Sequence, residues 1–75
     1  MKNNPDMLNT QGVTFMKMGR PEDAISCFRK AIALRPGYLN ALANLSIGLQ
    51  RQGKFDESIF CCRQALKIQP NNPFV

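Results

Sequence analysis

The chain has 75 residues, 44% hydrophobic and 20% charged, with ten Lys and Arg against five Asp and Glu for a net charge of +5. That length holds one small domain with a marginal core, burying only about 60% of its unfolded surface. The longest apolar runs are four residues, such as Ala31-Ile32-Ala33-Leu34, which excludes a membrane-inserting helix.

Read in order, Pro5 suits a helix start, and Gly19 suits the residue just past a helix end, so the first helix is predicted from about Asp6 to Met18. Pro21 opens a second helix to about Arg35, with Glu22 and Asp23 at its positive start and Pro36-Gly37 as its stop. Its apolar residues Ala24, Ile25, Phe28, Ala31 and Ile32 form one stripe. A third helix runs from about Leu39 to Gln52, stopped by Gly53. A fourth runs from about Asp56 to Gln69, stopped by Pro70, with a stripe of Ser58, Ile59, Cys62, Ala65 and Leu66. Gly48, inside the third helix, costs about 1 kcal/mol against Ala and is read as a close-packing point.

The stretches Gly19–Pro36 and Gly53–Pro70 repeat one another imperfectly, 34 positions apart. Gly19 aligns with Gly53, Ile25 with Ile59, Cys27 with Cys61, Arg29 with Arg63, Ala31 with Ala65 and Pro36 with Pro70. Asn3-Asn4-Pro5 and Asn71-Asn72-Pro73 stand at the same phase, two periods apart. A fixed period of this size is the mark of a stacked repeat array. The expectation is an all-α solenoid, or α-α superhelix, of two antiparallel helix pairs. One repeat spans 5–38 and a second 39–72, with 73–75 a tail or the opening of a third.

This sequence resembles the tetratricopeptide repeat family. The large residue opening each first helix falls on Leu8 and Leu42, the Leu-Gly step on Gln11-Gly12 and Leu45-Ser46, and the following aromatic on Phe15 and Leu49. In each second helix the small residues fall on Ala24 and Ser58 and on Ala31 and Ala65, the aromatic on Phe28 and Cys62, and the closing proline on Pro36 and Pro70. Polar Gln11 and small Cys62 depart from the pattern, which implies looser cover on the first helix and less volume in the second unit. The resemblance implies that Gly12 and Ser46 let paired helices approach closely. The phrasing of residues 42–59 is similar to repeats of bacterial scaffolds and of the repeat arm of O-linked N-acetylglucosamine transferases.

Catalytic and metal chemistry find little support. The chain has no His, and its three Cys cannot supply a four-ligand structural zinc site. Cys27 and Cys61 sit on neighbouring units, roughly 8–10 Å apart as packed helices are, beyond the roughly 7 Å reach of a disulfide. Cys62 is read as a small core residue and Cys27 and Cys61 as partly buried thiols. The five carboxylates, Asp6, Glu22, Asp23, Asp56 and Glu57, gather at helix starts, where capping explains them. No Gly-rich phosphate loop is present. The expectation is no enzyme activity, no cofactor, and no catalytic or metal-binding residue.

What remains is a binding surface. Solenoids bind on their concave side, and the resemblance implies that the first helix of each pair lines it. The residues of those helices outside the packing stripe are Asp6, Asn9, Thr10, Val13, Met16 and Lys17, then Asn40, Ala43, Asn44, Ile47, Gln50 and Arg51. Of these, Asn9, Val13, Met16, Lys17, Asn40, Asn44, Ile47 and Arg51 are the candidate peptide groove. Amides can bond a peptide backbone, and Lys17 and Arg51 can meet carboxylates. Chaperone-binding relatives hold a terminal carboxylate with a Lys and an Asn whose places are Asn9 and Val13 here, so that clamp is absent. An asparagine ladder would have one good rung, Asn44, since Thr10 takes the matching place.

The partner is therefore expected to be a protein or extended peptide, with two further readings: the substrate-recruiting arm of a larger enzyme, such as a glycosyltransferase, or a self-assembling unit. Two repeats are few for stability. An open stack end carrying Ile59, Phe60, Leu66 and Phe74 would favour a homo-oligomer, with Phe60 and Phe74 as its contacts. Basic residues are scattered from Lys2 to Lys67 with no run above two, so a solvated basic face is preferred over a nucleic-acid surface. The odd cysteine count and the polar start of the chain point to free thiols in the cytoplasm.

Overall fold

The computed structural model describes residues 4–68. Its four helices are α1 (Pro5–Lys17), α2 (Pro21–Leu34), α3 (Leu39–Arg51) and α4 (Phe55–Ile68). Each expected helix is present, with ends shifted by about one residue. The causes are local. Asn4 Oδ1 accepts from the Met7 backbone N–H at 2.7 Å, which starts α1 one residue earlier, at Pro5. Arg35 leaves helical geometry (φ −144°, ψ 85°) because it precedes Pro36. The expected stop at Pro70, the helix end at Gln69 and the segment 73–75 lie outside the described residues.

Two glycines make the tight turns within each pair. Gly19 and Gly53 take φ of 75° and 77°, which an L side chain rarely adopts. Around the first, Arg20 N–H bonds Phe15 C=O at 2.9 Å and Gly19 N–H bonds Met16 C=O at 3.1 Å. Around the second, Lys54 bonds Leu49 at 2.8 Å and Gly53 bonds Gln50 at 2.9 Å. Both are the double bond pattern that closes a helix through a left-handed residue. These three-residue turns fold α1 back on α2 and α3 back on α4, while α2 lies against both α1 and α3.

The core follows from that order. Ala24, Ile25 and Phe28 of α2 meet Leu45 and Leu49 of α3 and Cys61 of α4, with Val13, Phe15, Met16 and Ile32 packed at the margin. A smaller cluster joins Leu8, Ala31, Tyr38 and Ala41. The stripe expected on α2 is buried, but that on α4 is mostly open: Ile25 is 8% accessible and its counterpart Ile59 is 50%. The thiols correct the expectation in the same way. Cys61 is the buried one and Cys62 is exposed, with Cys27 between. Cys61 lies in the core with α2 and α3, whereas Cys62 is exposed on the flank of α4, its Sγ within reach of Ser46 on α3.

Polar groups bind the elements at two points that the repeat pattern does not show. In the second pair, Ser46 Oγ and Ser58 Oγ are 2.7 Å apart, Ser58 Oγ donates to Ser46 C=O at 3.1 Å, and Ser46 Oγ lies 3.2 Å from Cys62 Sγ. Small hydroxyls thus replace the Gly12, Ala24 and Phe28 packing of the first pair. Between the pairs, Tyr38 Oη donates to Asp6 Oδ1 at 2.7 Å, and Arg35 stacks 4.6 Å over the Tyr38 ring. Asp6 therefore ties the start of α1 to the start of α3 rather than capping a helix or lining the groove.

The Tyr38 bond has a measurable signature. The hydrogen bond to Asp6, then burial, hold the phenol above its ordinary value. Burial likewise raises the Cys61 and Cys27 thiols. A raised folded value means that the associated stability is complete at neutral pH and is lost as pH rises past the unfolded values, about 9 for thiols and 10 for the phenol. Tyr38→Phe is expected to cost about 1 kcal/mol at pH 7, because its partner Asp6 is well solvated. Urea titrations between pH 7 and pH 11 should show a shallower alkaline loss for Tyr38→Phe than for the parent chain. Equal slopes would show that the phenol is not held.

Candidate peptide-binding groove

Between α1 and α3 runs an open groove of about 260 Å³. Val13, Met16 and Lys17 of α1 form one wall, and Asn44, Ile47 and Arg51 of α3 form the other. Spacings of three, four and seven residues keep these side chains on one face of each helix. Phe28, reaching up from α2, closes the floor. Gly48 draws α3 inward at this level: a Cβ there would stand 3.1 Å from Ile25 Cγ1 and 3.7 Å from Met16 Sδ.

Six of the eight groove residues expected from sequence are thus together. Asn9 stands beside them without lining the cavity, and its Oδ1 accepts from Asn44 Nδ2 at 3.0 Å. That bond clamps α1 to α3 and fixes the Asn44 amide, leaving its carbonyl oxygen free to accept. Asn40 is exposed and away from the cavity, as are Thr10, Ala43 and Gln50. Thr10 Oγ1 is spent on the Asp6 carbonyl at 3.0 Å.

The electrostatics of the groove are one-sided. Lys17 and Arg51 lie in the last turns of α1 and α3, where the negative helix end favours a cation. No carboxylate lines the cavity. Among the described residues, the ion pairs are Arg20–Asp23 (2.7 Å), Arg29–Glu57 (3.1 Å) and Arg35–Asp6 (3.7 Å), so neither groove cation is neutralised. The arrangement offers an apolar trough with two free positive charges at one end and an amide on the wall. Among the described residues, no group of three or more His, Cys, Asp or Glu comes together to hold a metal ion. No helix of the described residues is long and apolar enough to cross a membrane.

A second groove escaped the sequence reading. It lies between α2 and α4, has about 460 Å³, and is lined by Ile32, Leu42, Leu45, Phe60, Cys61 and Ile68 among others. Phe60 stands here, on the side of α4 turned towards α2, and Phe74 lies outside the described residues. The available signal was the alignment of the two units, in which polar Ser26 of the first helix pair becomes Phe60 of the second.

Comparison with known proteins agrees with this geometry. The tetratricopeptide repeat family matches over residues 5–38 and again over residues 39–72. A tetratricopeptide repeat-containing protein of Methanocaldococcus jannaschii is 34% identical over 58 residues. The match takes in 77% of this chain but only 10% of that protein's length. Two consecutive family matches, on four helices whose turns, small-residue contacts and core follow the repeat, place the chain in the tetratricopeptide repeat family.

Proposed function

We propose that this chain is a protein-interaction module that holds an extended peptide along the groove between α1 and α3. Tetratricopeptide repeats generally mediate protein–protein contacts. The observation that carries the finer reading is the pairing of an apolar trough with two cations, Lys17 and Arg51, that meet no carboxylate among the described residues. A ligand suited to it places an aliphatic or aromatic side chain over Val13, Met16 and Ile47. It sets an acidic residue, or a terminal carboxylate, beside Lys17 and Arg51. Asn44 accepts from the peptide backbone. The much greater length of the relative supports reading these two repeats as a portion of a longer scaffold. Three free thiols suit a reducing compartment such as the cytoplasm.

Peptides selected from a random display library on the folded chain test this reading. Enriched sequences should combine an apolar residue with Asp or Glu, and amide shifts on binding should centre on Val13, Met16, Lys17, Asn44, Ile47 and Arg51. Reversing both charges, Lys17→Glu with Arg51→Glu, should weaken a selected peptide at least about tenfold. Selected peptides without acidic residues, or with binding indifferent to the double reversal, would rule the reading out.

A further inference from the structure

Large apolar side chains left exposed are concentrated on one helix. Phe55, Ile59, Phe60, Leu66 and Ile68 of α4 are between 41% and 62% accessible, whereas α1, α2 and α3 each carry one such residue. Four α4 positions fall in line: Phe55, Ile59, Cys62 and Leu66 are separated by four, three and four residues. That is the spacing of a seam between paired helices. The repeat shows what such an edge does when covered. Phe28, the counterpart of Cys62, is wholly buried against Gly12 of α1 and clustered with Leu45 and Leu49 of α3, and Ile25, the counterpart of Ile59, is nearly so beneath Gly48 of α3. No described helix covers the α4 edge.

The charges flanking this seam select its partner. Asp56 follows Phe55, and Arg63 follows Cys62, so the two stand on the same flank, seven residues or two turns apart. Both are exposed, and among the described residues neither is in an ion pair. We propose that, in this 75-residue chain, α4 pairs with the α4 of a second copy, antiparallel, about a two-fold axis between residues 60 and 61; within a longer array a following repeat would take the same edge instead. Phe55 then faces Leu66 of the second copy, and Ile59 faces Cys62. Asp56 comes within two residues, about 3 Å along the axis, of Arg63 of the second copy. The two-fold makes this pairing twice. A parallel pairing would put these flanks on opposite sides of the seam and make no such charge pair, so the antiparallel one is favoured.

The other end of the molecule does not compete for this edge. On α1, Gln11 and Thr14 occupy the places of Leu45 and Gly48 on α3. Those α3 residues are buried against α2, and Gly48 lies close over Ile25, where even a Cβ would stand 3.1 Å from Ile25 Cγ1. A head-to-tail copy presenting α1 to α4 would bring a polar amide and an added side chain to those two contacts. The α4 pair also leaves the groove between α1 and α3 open, so self-association and peptide binding are separable. One pair of short helices buries less than the roughly 1,200 Å² of a standard interface, so the dimer is weak, with a dissociation constant on the order of 100 µM.

Sedimentation equilibrium on the full 75-residue chain, with thiols kept reduced, tests the proposal at concentrations up to about 1 mM. A monomer–dimer equilibrium is expected. Asp56→Arg and Arg63→Asp should each weaken it at least about fivefold, and the two together should restore it. Leu66→Lys should abolish it. Circular dichroism on the same samples separates loss of pairing from loss of fold, which these exposed positions do not control. A strict monomer at 1 mM, single reversals without effect, or a double reversal no better than the singles would overturn the proposal.

Discussion

Phe28→Ala is expected to lower the unfolding free energy by about 4 kcal/mol. Phe28 is wholly buried at the centre of the larger core cluster, in contact with residues from three other helices. Truncation removes the ring's transfer energy and leaves a cavity that α1 and α3 cannot close, because Asn9–Asn44 and Tyr38–Asp6 hold the units at fixed spacing. A chain of this size has a total stability of roughly 4–11 kcal/mol, so the variant should be largely unfolded at physiological temperature. Urea denaturation followed by circular dichroism, extrapolated to water, measures it. The informative control is the equivalent position of the second unit. Cys62 is exposed, so Cys62→Ala should cost no more than about 0.5 kcal/mol. Similar losses at both positions would show that the two repeats carry the core equally, contrary to the burial pattern.

That contrast also marks what the sequence could and could not disclose. A 34-residue copy specifies local structure, because each turn glycine, helix-opening proline and apolar stripe acts within a few residues. All four helices were therefore legible, to within about one residue at each end that falls inside the described residues. The groove was legible for a related reason. Once the packing stripe of α1 and α3 is known, helical geometry puts Val13, Met16 and Lys17 opposite Asn44, Ile47 and Arg51.

What stayed hidden depends on contacts between distant residues or on which neighbours exist. The side chain of Asp6 is bound by Tyr38, 32 positions away, and Asn9 is bound by Asn44, 35 away, so neither is free for a ligand in the way its exposure on a helical wheel suggests. Cys61 and Cys62 exchange their expected burial because α4 is covered on one side only, a fact about the stack rather than the helix. The α2–α4 groove was missed because Phe60 reads as part of the open stack end until α2 is placed beside it. Periodicity within one element locates its buried face; it carries no information on which outer faces meet.

Gly12→Ala is expected to destabilise the chain by about 2 kcal/mol, while Gly48→Ala stays within about 1 kcal/mol of the parent, although both replace a helix-interior glycine. Helix propensity alone predicts that each change stabilises by about 1 kcal/mol. Space decides otherwise at Gly12. A Cβ there would stand 2.7 Å from Cδ1 and Cζ of Phe28, and nearer still to Cε1. The ring is wholly buried and cannot swing away. Helix α1 must instead shift, disturbing the Asn9–Asn44 clamp and the groove above it. At Gly48 the added atom meets Ile25 Cγ1 at 3.1 Å, and otherwise the ends of Ile25 and Met16, which can yield by tenths of an ångström. The overlap at Gly12 is specific to the ring, so Phe28→Leu should make Gly12→Ala cheaper. In the double variant, the cost of Gly12→Ala should fall by at least about 1 kcal/mol relative to its cost beside phenylalanine. Additive losses in that cycle would show that Gly12 acts through the backbone rather than through the Phe28 contact, and the close approach of α1 to α2 would need another cause.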